Sequence, residues 1–315
     1  MPRRLMVFLK HLGLSLSGLA VLFLLWEIAP GRRWVNPRYL PGFTQVVAAI
    51  GDMGGSGEFW PHLVVSLWRA AGGLLIAIAL GLPLGLALGQ KEGPVMAAAG
   101  PLLRFLSQAN PFSLMPVFIL FFGVGEIAKL AVVAWVCLWP ILFNTITGVR
   151  TVDPALLKTA RSLNVGPWRL IVNVVLPGAA PAIFGGIQIG IQMAFFMLIA
   201  AEMIGASVGL GYLLHLSAMV NQTVRVYAAG FAIALLGMAL NRLLLFLKRS
   251  LFFWNETGEA AGAGSGRERV RMPARYAILI VAALMAGILF SGGLEAERVR
   301  HFQPMIHSHG GGYTD

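Results

Sequence analysis

The side chains best suited to binding a polar solute in this chain are two amides that lie inside a long apolar run. Gln188 and Gln192 are four residues apart, so they share one face of a helix and can donate to or accept from an anion or another polar solute. The same amides can instead bond to a neighbouring helix, as polar side chains in membrane helices do. The sequence leaves both interpretations open.

Three further polar residues surround a predicted break in another apolar run. Ser107, Gln108 and Asn110 lie where Asn110-Pro111 interrupts residues 94–123. Unwound backbone at membrane depth is tolerated only where it is buried in protein or faces a cavity. The three residues are therefore additional candidates for a solute path.

Charged residues near the ends of apolar runs are expected to reach water. Glu202 lies near the outer end of the run that contains Gln192, within reach of water, and it is a further candidate for the solute path. Arg69 and Arg104 are also near the ends of runs, where long side chains can extend to the aqueous interface.

The carboxyl-terminal residues contain the only histidine cluster in the sequence. His301, His307 and His309, with Met305 nearby, include a His-x-His pair that could bind a soft or borderline divalent metal. The alternative is that they are solvated side chains, since their spacing matches no closed site. The sequence contains no His-Glu-x-x-His motif and no serine with a recognisable base, so we predict no catalytic residue.

The composition is that of an integral membrane protein. The 315 residues are 57% hydrophobic and only 12% charged, and the mean hydropathy is +0.77. A soluble domain usually has about 25% charged residues, so a single cytosolic core and intrinsic disorder are both excluded. The net charge of +11 is explained by basic residues at the cytoplasmic ends of helices, and we expect no nucleic-acid partner. Cys137 is the single cysteine and can form no internal disulfide.

The apolar runs predict seven membrane spans, since about 20 apolar residues cross the hydrocarbon core as a helix. They cover residues 12–29, 63–89, 94–123, 127–148, 181–204, 226–247 and, more weakly, 274–294. Most lysines and arginines fall on the inside when the amino terminus is cytoplasmic, with Arg32, Arg33 and Arg38 as a local exception. Small residues at Gly81, Gly85 and Gly89 predict a close approach of a neighbouring helix.

The loop between the fourth and fifth spans has its own pattern. Asp153-Pro154 is a helix start, because Asp accepts the free amide hydrogens of the first turn and Pro fits there. We predict a short amphipathic helix over 155–163, a turn over 164–167, and a second short amphipathic segment over 168–175. Both segments are too polar to span and too apolar to remain free in water, so we expect them to dock on some other surface.

This loop resembles the coupling loop of binding-protein-dependent ABC importer permeases. The family pattern is Glu-Ala-Ala, three residues, Gly, nine residues, Ile, one residue, Leu-Pro. The resemblance implies contact with an ATPase subunit for Lys158, Thr159, Ala160, Asn164, Gly166, Leu176 and Pro177. Lys158, Thr159 and Asn164 depart from the pattern's Glu, Ala and Gly, and Asn is the non-glycine residue that best tolerates a left-handed turn.

The resemblance extends over residues 36–256, to permeases of the nitrate, sulfonate, taurine and bicarbonate branch. It is carried by several separate motifs, which include Ser66-Leu67-Trp68-Arg69, Gly81-Leu-Pro-Leu-Gly85, Gly123-Val-Gly-Glu-Ile-Ala-Lys129, Pro140-Ile-Leu-Phe-Asn144, Ala201-Glu202 and Gly209-Leu-Gly-Tyr212. It implies an all-α membrane protein with the type I ABC importer permease fold, with six core transmembrane helices and a seventh at the carboxyl terminus.

The implied organisation is a cytoplasmic end with the first span (1–35), a permease core (36–256) with its coupling loop (150–177), a linker (257–275), an extra span (276–294) and a His-containing extracytoplasmic tail (295–315). The implied location is the bacterial inner membrane, with a cytoplasmic amino terminus.

The family implies a division of labour among several chains. The sequence has no Gly-x-x-x-x-Gly-Lys-Ser/Thr loop, so we expect no cofactor on this chain and no enzymatic activity; ATP and Mg are used by a separate ATP-binding cassette subunit. The other expected partners are an extracytoplasmic solute-binding protein, a second copy of the chain and membrane lipid. Import of a small polar or anionic solute would follow by alternating access.

Two other functions remain open from the sequence. An ion-coupled secondary transporter would show inverted repeats and titratable residues at the midplane, and the spans show neither clearly. An ABC importer of another solute, such as a metal or a vitamin precursor, would have the same permease architecture.

Overall fold

The computed structural model describes residues 17–18, 20–90, 94–251, 286–288 and 290–293, and every regular element among them is helical. The helices are α1 Ala20–Gly31, α2 Phe43–Gly55, α3 Phe59–Gly89, α4 Pro94–Ser107, α5 Pro111–Phe122, α6 Glu126–Arg150, α7 Pro154–Ser162, α8 Pro167–Leu170, a π-helical turn Ile171–Val175, α9 Leu176–Gly205, α10 Leu210–Met219 and α11 Thr223–Leu251. The expected all-α fold is confirmed.

Four helical stretches in the described part of the chain are long and apolar enough to cross a membrane. They are Phe59–Gly89, Glu126–Arg150, Pro167–Gly205 and Thr223–Lys248, and they coincide with the predicted second, fourth, fifth and sixth spans. Of the first predicted span, the structure describes the apolar helix Ala20–Gly31. Most of the predicted seventh span lies outside the described residues.

The predicted third span is a bent pair of helices. Ala98–Ser107 and Pro111–Phe122 meet at 90°. Pro111 stands in the first turn of α5, where its missing amide hydrogen costs nothing, and the Asn110 side chain accepts from Phe112 N at 2.9 Å. The chain therefore ends one helix and starts another at the break that the sequence indicated.

The second segment of the cytoplasmic loop is not the separate short helix that the sequence predicted. It runs without interruption into the fifth span, which is helical over Pro167–Gly205. The join is the π-helical turn, in which Leu176 N donates to Ile171 O. A proline ring crowds the carbonyls of the preceding turn, and a wider turn before Pro177 accommodates it, so the helix continues.

The chain forms two compact units, residues 61–212 with 236–315 and residues 1–60 with 213–235. The larger unit is built on α3, α6 and α9. Their core contains Leu74, Ala77, Val133, Cys137 and Leu198, all buried.

The helices α3 and α6 run parallel and very close together. A Cβ on Gly85 would lie 2.5 Å from the Cβ of Thr145, closer than two carbon atoms can approach, so only glycine fits there. The close approach that the glycine spacing predicted is confirmed.

The smaller unit has an apolar core rich in aromatic residues. Val46, Met53, Leu213 and Ala228 are buried in it, with aromatic rings packed around them. Glu27 of α1 accepts hydrogen bonds from the backbone N and the hydroxyl of Thr44, at 2.9 and 2.8 Å, and so caps the start of α2.

Candidate functional site

A buried ionic cluster joins the beginnings of α3 and α6 to the end of α9. The Nε and Nη2 atoms of Arg69 donate to the two carboxylate oxygens of Glu126 at 2.6 and 2.7 Å. Its Nη1 donates to Glu202 Oε1 at 2.7 Å and to the carbonyl oxygen of Val208 at 2.6 Å. Lys129 Nζ lies 3.2 Å from Glu126 Oε1. Two cations face two carboxylates, so the cluster is formally neutral.

The charged groups of this cluster are buried, so an unbalanced charge among them would be costly. Arg69 is 2% exposed, Lys129 3% and Glu202 0%. Taking charges out of water costs several kcal/mol for each ion unless opposite charges and hydrogen bonds compensate. The arrangement supplies both, because each group in it is paired at hydrogen-bond distance.

Glu202 also holds the loop that follows its own helix. Its carboxylate accepts from Ser66 Oγ at 2.8 Å and from Gly211 N at 3.0 Å, and Ser66 Oγ in turn accepts from Leu210 N at 2.9 Å. Gly209 has a φ of +138°, and a Cβ there would collide with the Glu202 carboxylate. The start of α10 is thereby fixed to α3 and α9.

A histidine completes the attachment of this loop. Gly209 N donates to His62 Nδ1 at 3.0 Å, and the His62 ring stacks on Tyr212 with centroids 6.0 Å apart. Three regions are far apart in the sequence: the motif with Arg69, the motif with Glu126 and Lys129, and the segment from Glu202 to Gly209. The structure brings all three together at this cluster.

Two of these residues lie in surroundings that differ from those predicted from the sequence. Arg69 does not extend to water, and Glu202 is not within reach of it; both are buried and paired with each other. The reason is that the carboxylates come from helices distant in the sequence and offer the guanidinium a partner inside the protein. The sequence did contain a signal for this pairing. Arg69, Lys129, Glu126 and Glu202 lie near the ends of three predicted spans, and their charges sum to zero. Arg104, in contrast, is exposed as expected.

The two glutamines that were predicted to line a solute path lie in different surroundings on α9. Gln192 is exposed on α9, and its Nε2 donates to Asn241 Oδ1 of α11 at 2.7 Å. Both residues line a cavity of about 380 Å³ between these helices, together with Phe195 and Met238. Gln188 is half-buried one turn earlier. Asn241 was not recognised from the sequence, although it is an amide within an apolar run.

The residues at the break in the third span make local contacts. Asn110 caps α5, and Ser107 Oγ donates to the carbonyl oxygen of Arg104 at 2.8 Å. Gln108 is exposed. These contacts account for the bend, and the role of the three residues in a solute path stays a prediction.

The cytoplasmic loop has the expected start and turn. The Asp153 side chain accepts from Ala155 N at 2.8 Å, Pro154 begins α7, and Asn164 adopts a φ of +55°. Gly166 precedes α8 as its N-cap residue. The asparagine in place of the family's glycine therefore takes the left-handed conformation that the position requires.

Most of the predicted coupling residues are accessible. Lys158, Thr159, Asn164, Gly166 and Pro177 are exposed, and Leu176 is half-buried. Ala160 is only 7% exposed, so its side chain packs inward. The loop also exposes three large apolar residues that were not among the predicted coupling residues: Leu156, Leu163 and Trp168.

The loop is also attached to the spans. Leu157 of α7 packs against a buried apolar cluster that includes Val149, Val152 and Val175, from the end of α6, the following loop and the π-helical turn. A force on α7 would therefore be passed to α6 and α9 through close-packed side chains, which transmit strain.

The proposed metal ligands cannot be placed. His301, His307 and His309 lie outside the described residues. Within the described ranges, no group of three or more His, Cys, Asp or Glu side chains could hold a metal ion.

The long apolar helices, the bent helix pair and the polar residues within them define a multi-pass membrane protein. Residues 81–252 match the family described as "Binding-protein-dependent transport system inner membrane component". The chain belongs to this family of ABC transporter permeases.

Relatives among the curated proteins agree with this assignment. The putative aliphatic sulfonates transport permease protein SsuC of Bacillus subtilis (strain 168) is 32% identical over 240 residues, which are 76% of this chain and 87% of the relative. SsuC of Escherichia coli (strain K12) is 36% identical over 73% of this chain and 87% of its own length. The bicarbonate transport system permease protein CmpB of Synechococcus elongatus (strain ATCC 33912 / PCC 7942 / FACHB-805) is 30% identical over 75% of this chain and 88% of its own.

Proposed function

We propose that this chain is the membrane-spanning subunit of an ATP-driven importer and forms the path for a small polar or anionic solute. The observation that carries the proposal is the exposed apolar surface of the α7–α8 loop. Leu156, Leu163 and Trp168 are 55%, 73% and 74% exposed on a segment that also exposes Lys158, Arg161 and Arg169. Burying such side chains contributes about 1.5–3 kcal/mol each, so a partner protein on the cytoplasmic side would be bound here.

The partner is an ATP-binding cassette subunit. The sequence has no phosphate-binding loop of its own, so ATP and Mg are used by that subunit. The contact of Leu157 with the buried cluster at Val149 and Val175 gives its motion a route into α6 and α9. Alternation between inward-open and outward-open states follows from this link.

The path for the solute passes beside α9. Gln192 and Asn241 share one hydrogen bond, but each amide has further donors and acceptors. If this surface faced lipid, the remaining donors and acceptors would have no hydrogen-bond partner. The free-energy cost of unpaired polar groups is high in lipid, and membrane-spanning structures avoid it. The surface around the cavity of about 380 Å³ is therefore covered by a second copy of the chain or faces a water-filled path. We propose a homodimer in which α9 of each copy, with Gln188 and Gln192, lies at the path.

We also propose that the amino terminus lies in the cytoplasm and that the membrane is the bacterial inner membrane. The support for this orientation is the distribution of lysines and arginines. The relative helix directions fit the predicted alternation of spans, since α3 and α6 run parallel and α9 returns, so that Glu202 meets Arg69 at one end while Ala179 lies beside Gly148 at the other.

The extra segment after the linker is proposed to be a peripheral seventh span. Residues 286–288 and 290–293 are helical, and Gly292 is buried against the side chain of Trp68. The histidines at 301, 307 and 309 would then follow on the extracytoplasmic side.

The solute class is inferred from the relatives, whose names refer to aliphatic sulfonates and bicarbonate. Both are small anions with oxygen acceptors, which amide donors such as those of Gln188 and Gln192 can bind. An importer of a metal or a vitamin precursor, and an ion-coupled secondary transporter, are the competing functions.

The test is uptake by proteoliposomes that contain this chain, its ATP-binding subunit and the solute-binding protein from the same cells. We expect uptake of radiolabelled taurine, ethanesulfonate, nitrate or bicarbonate that requires internal ATP and Mg. Uptake without ATP that an ionophore abolishes would identify a secondary transporter instead.

A pair of variants tests the loop. Trp168→Ala should release the ATP-binding subunit during purification or abolish uptake, because it removes exposed apolar surface from the loop. Phe121→Ala is the matched control, since Phe121 is 76% exposed on α5, away from the loop. Equal subunit retention and uptake in both variants would contradict the assignment of the loop.

A further inference from the structure

The smaller unit contains a groove whose lining residues have no assigned role in the proposed function. A cavity of about 770 Å³ is lined by Pro37, Arg38 and Tyr39 from the loop after α1 and by residues 221–225, which are the end of the turn before α11 and the first residues of α11. Because both segments line one groove, they lie on the same side of the membrane. If the amino terminus is cytoplasmic and the predicted first span over residues 12–29 crosses once, the groove opens to the extracytoplasmic side.

The groove has the composition of a protein interface. Within the groove, Tyr39 is 74% exposed and Arg38 is also exposed, and Trp34, which lies earlier on the same loop and outside the groove lining, is 67% exposed. Tyr, Trp and Arg are the residues that contribute most binding energy in protein complexes. Arg225 is held on the opposite side of the groove by an ion pair with Glu58 and by Gln222 Oε1, which it donates to at 3.1 Å.

The two loops are fixed in shape. Arg33 and Asn221 have φ values of +59° and +57°, a left-handed conformation that is unfavourable for arginine and that asparagine tolerates best among residues with side chains. Hydrogen bonds secure both turns: Tyr39 N donates to Asn36 O at 2.9 Å, and Gln222 N donates to Ser217 O at 2.9 Å. A surface that is already ordered loses little entropy when a partner binds.

The charge of the groove indicates what binds there. Arg32, Arg33 and Arg38 are clustered on the side of the membrane from which the positive-inside rule removes basic residues. No acidic residue lines the groove, and Arg225 already has a partner in Glu58. The excess positive charge is therefore left for an external partner, and arginines bind carboxylates in pairs of parallel hydrogen bonds.

We propose that Trp34, Arg38, Tyr39 and residues 221–225 form the docking surface for an acidic face of the extracytoplasmic solute-binding protein. The inference rests on the proposed function, since it names the permease surface that meets one of its partners. Arginine at the rim of such a contact steers the encounter and sets its salt dependence, and the exposed rings give it contact area.

The experiment uses the complete transporter in nanodiscs and the soluble binding protein that supports uptake by the wild type. The ATPase rate is titrated with this binding protein, loaded with its solute. We expect Arg38→Glu to raise the half-maximal concentration of binding protein about tenfold or more, as the loss of an interfacial charge pair does. Arg38→Lys keeps the charge and should stay within about threefold of the wild type, whereas Tyr39→Ala should weaken docking at unchanged charge.

The controls separate the possible failures. Each variant must retain its ATP-binding subunit and its ATPase rate without binding protein, which shows that it is folded. If no binding protein stimulates the wild type, the proposed function fails. If the wild type responds and Arg38→Glu responds with the same half-maximal concentration, the docking surface is wrong. A defect that appears in nanodiscs of anionic lipid and disappears in pure phosphatidylcholine would assign Arg38 to lipid headgroups, and would overturn the inference.

Discussion

Arg69 and Glu202 are 133 positions apart in the sequence, yet their side chains meet at 2.7 Å in a part of the protein that water does not reach. The pair closes a network in which Arg69 also holds Glu126 with two parallel hydrogen bonds. Because Glu202 binds Gly211 N as well, the same contact determines where α10 begins. An ion pair buried in this way fixes the relative positions of three helices.

The neutrality of the cluster can be tested by charge removal. Glu126→Gln leaves Arg69 and Lys129 against Glu202 alone, so one buried cation lacks a counter-charge, and we expect a loss of about 3–5 kcal/mol of stability. Adding Lys129→Met restores neutrality and should recover part of the loss. The measurement is thermal unfolding of the purified protein in detergent. A double variant less stable than Glu126→Gln would show that the charge balance is not the cause.

The close approach of α3 and α6 predicts a strong dependence on side-chain size. Gly85→Ala should destabilise the protein by about 1–3 kcal/mol, because the new methyl group would overlap Thr145 and push the helices apart. Gly185→Ala is the matched control, since a Cβ at Gly185 meets nothing within 4 Å. Thermal unfolding of both variants is compared with the wild type. Equal unfolding temperatures for the two would contradict the packing argument.

The turn at Asn164 predicts opposite effects for two substitutions. Asn164→Gly should be tolerated, because glycine adopts the observed φ of +55° without strain. Asn164→Val should cost about 1–2 kcal/mol locally, since a β-branched side chain disfavours this conformation. We expect the valine variant to retain less ATP-binding subunit after affinity purification. Full retention with valine, at wild-type ATPase activity, would show that the turn conformation is not required.

The access of water-soluble reagents to Gln192 distinguishes a role in lining the solute path from a role in helix packing. In a Cys137→Ser background, Gln192→Cys should react with a small charged thiol reagent, and the rate should change when ATP and vanadate are added. Ala194→Cys is the negative control, because Ala194 is 1% exposed. If the cysteine at 192 is as unreactive as the one at 194 in every state, Gln192 belongs to helix packing.

Several features could be predicted from the sequence because their causes are local. An apolar run long enough to span a membrane is evident from composition alone, and the runs at 63–89 and 127–148 coincide with helices α3 and α6. Asp153-Pro154 starts α7, and Asn164 turns the chain, through interactions within a few residues. The glycine spacing at Gly85 likewise predicted close packing, although not which helix would approach.

Other features were decided by tertiary structure, because their partners are distant in the sequence. Nothing near Arg69 indicates that Glu126 and Glu202 will surround it, and without them the guanidinium would extend to water. The inward packing of Ala160 depends on how α7 rests against the spans, and the bond from Gln192 to Asn241 depends on where α11 crosses α9. The continuous helix over Pro167–Gly205 also depends on tertiary contacts. Its prolines favour a break, but Val175 packs in one buried cluster with Val149 and Ala179, and the helix continues. Burial of side chains from separate helices outweighs local preference, so only the folded chain determines these contacts.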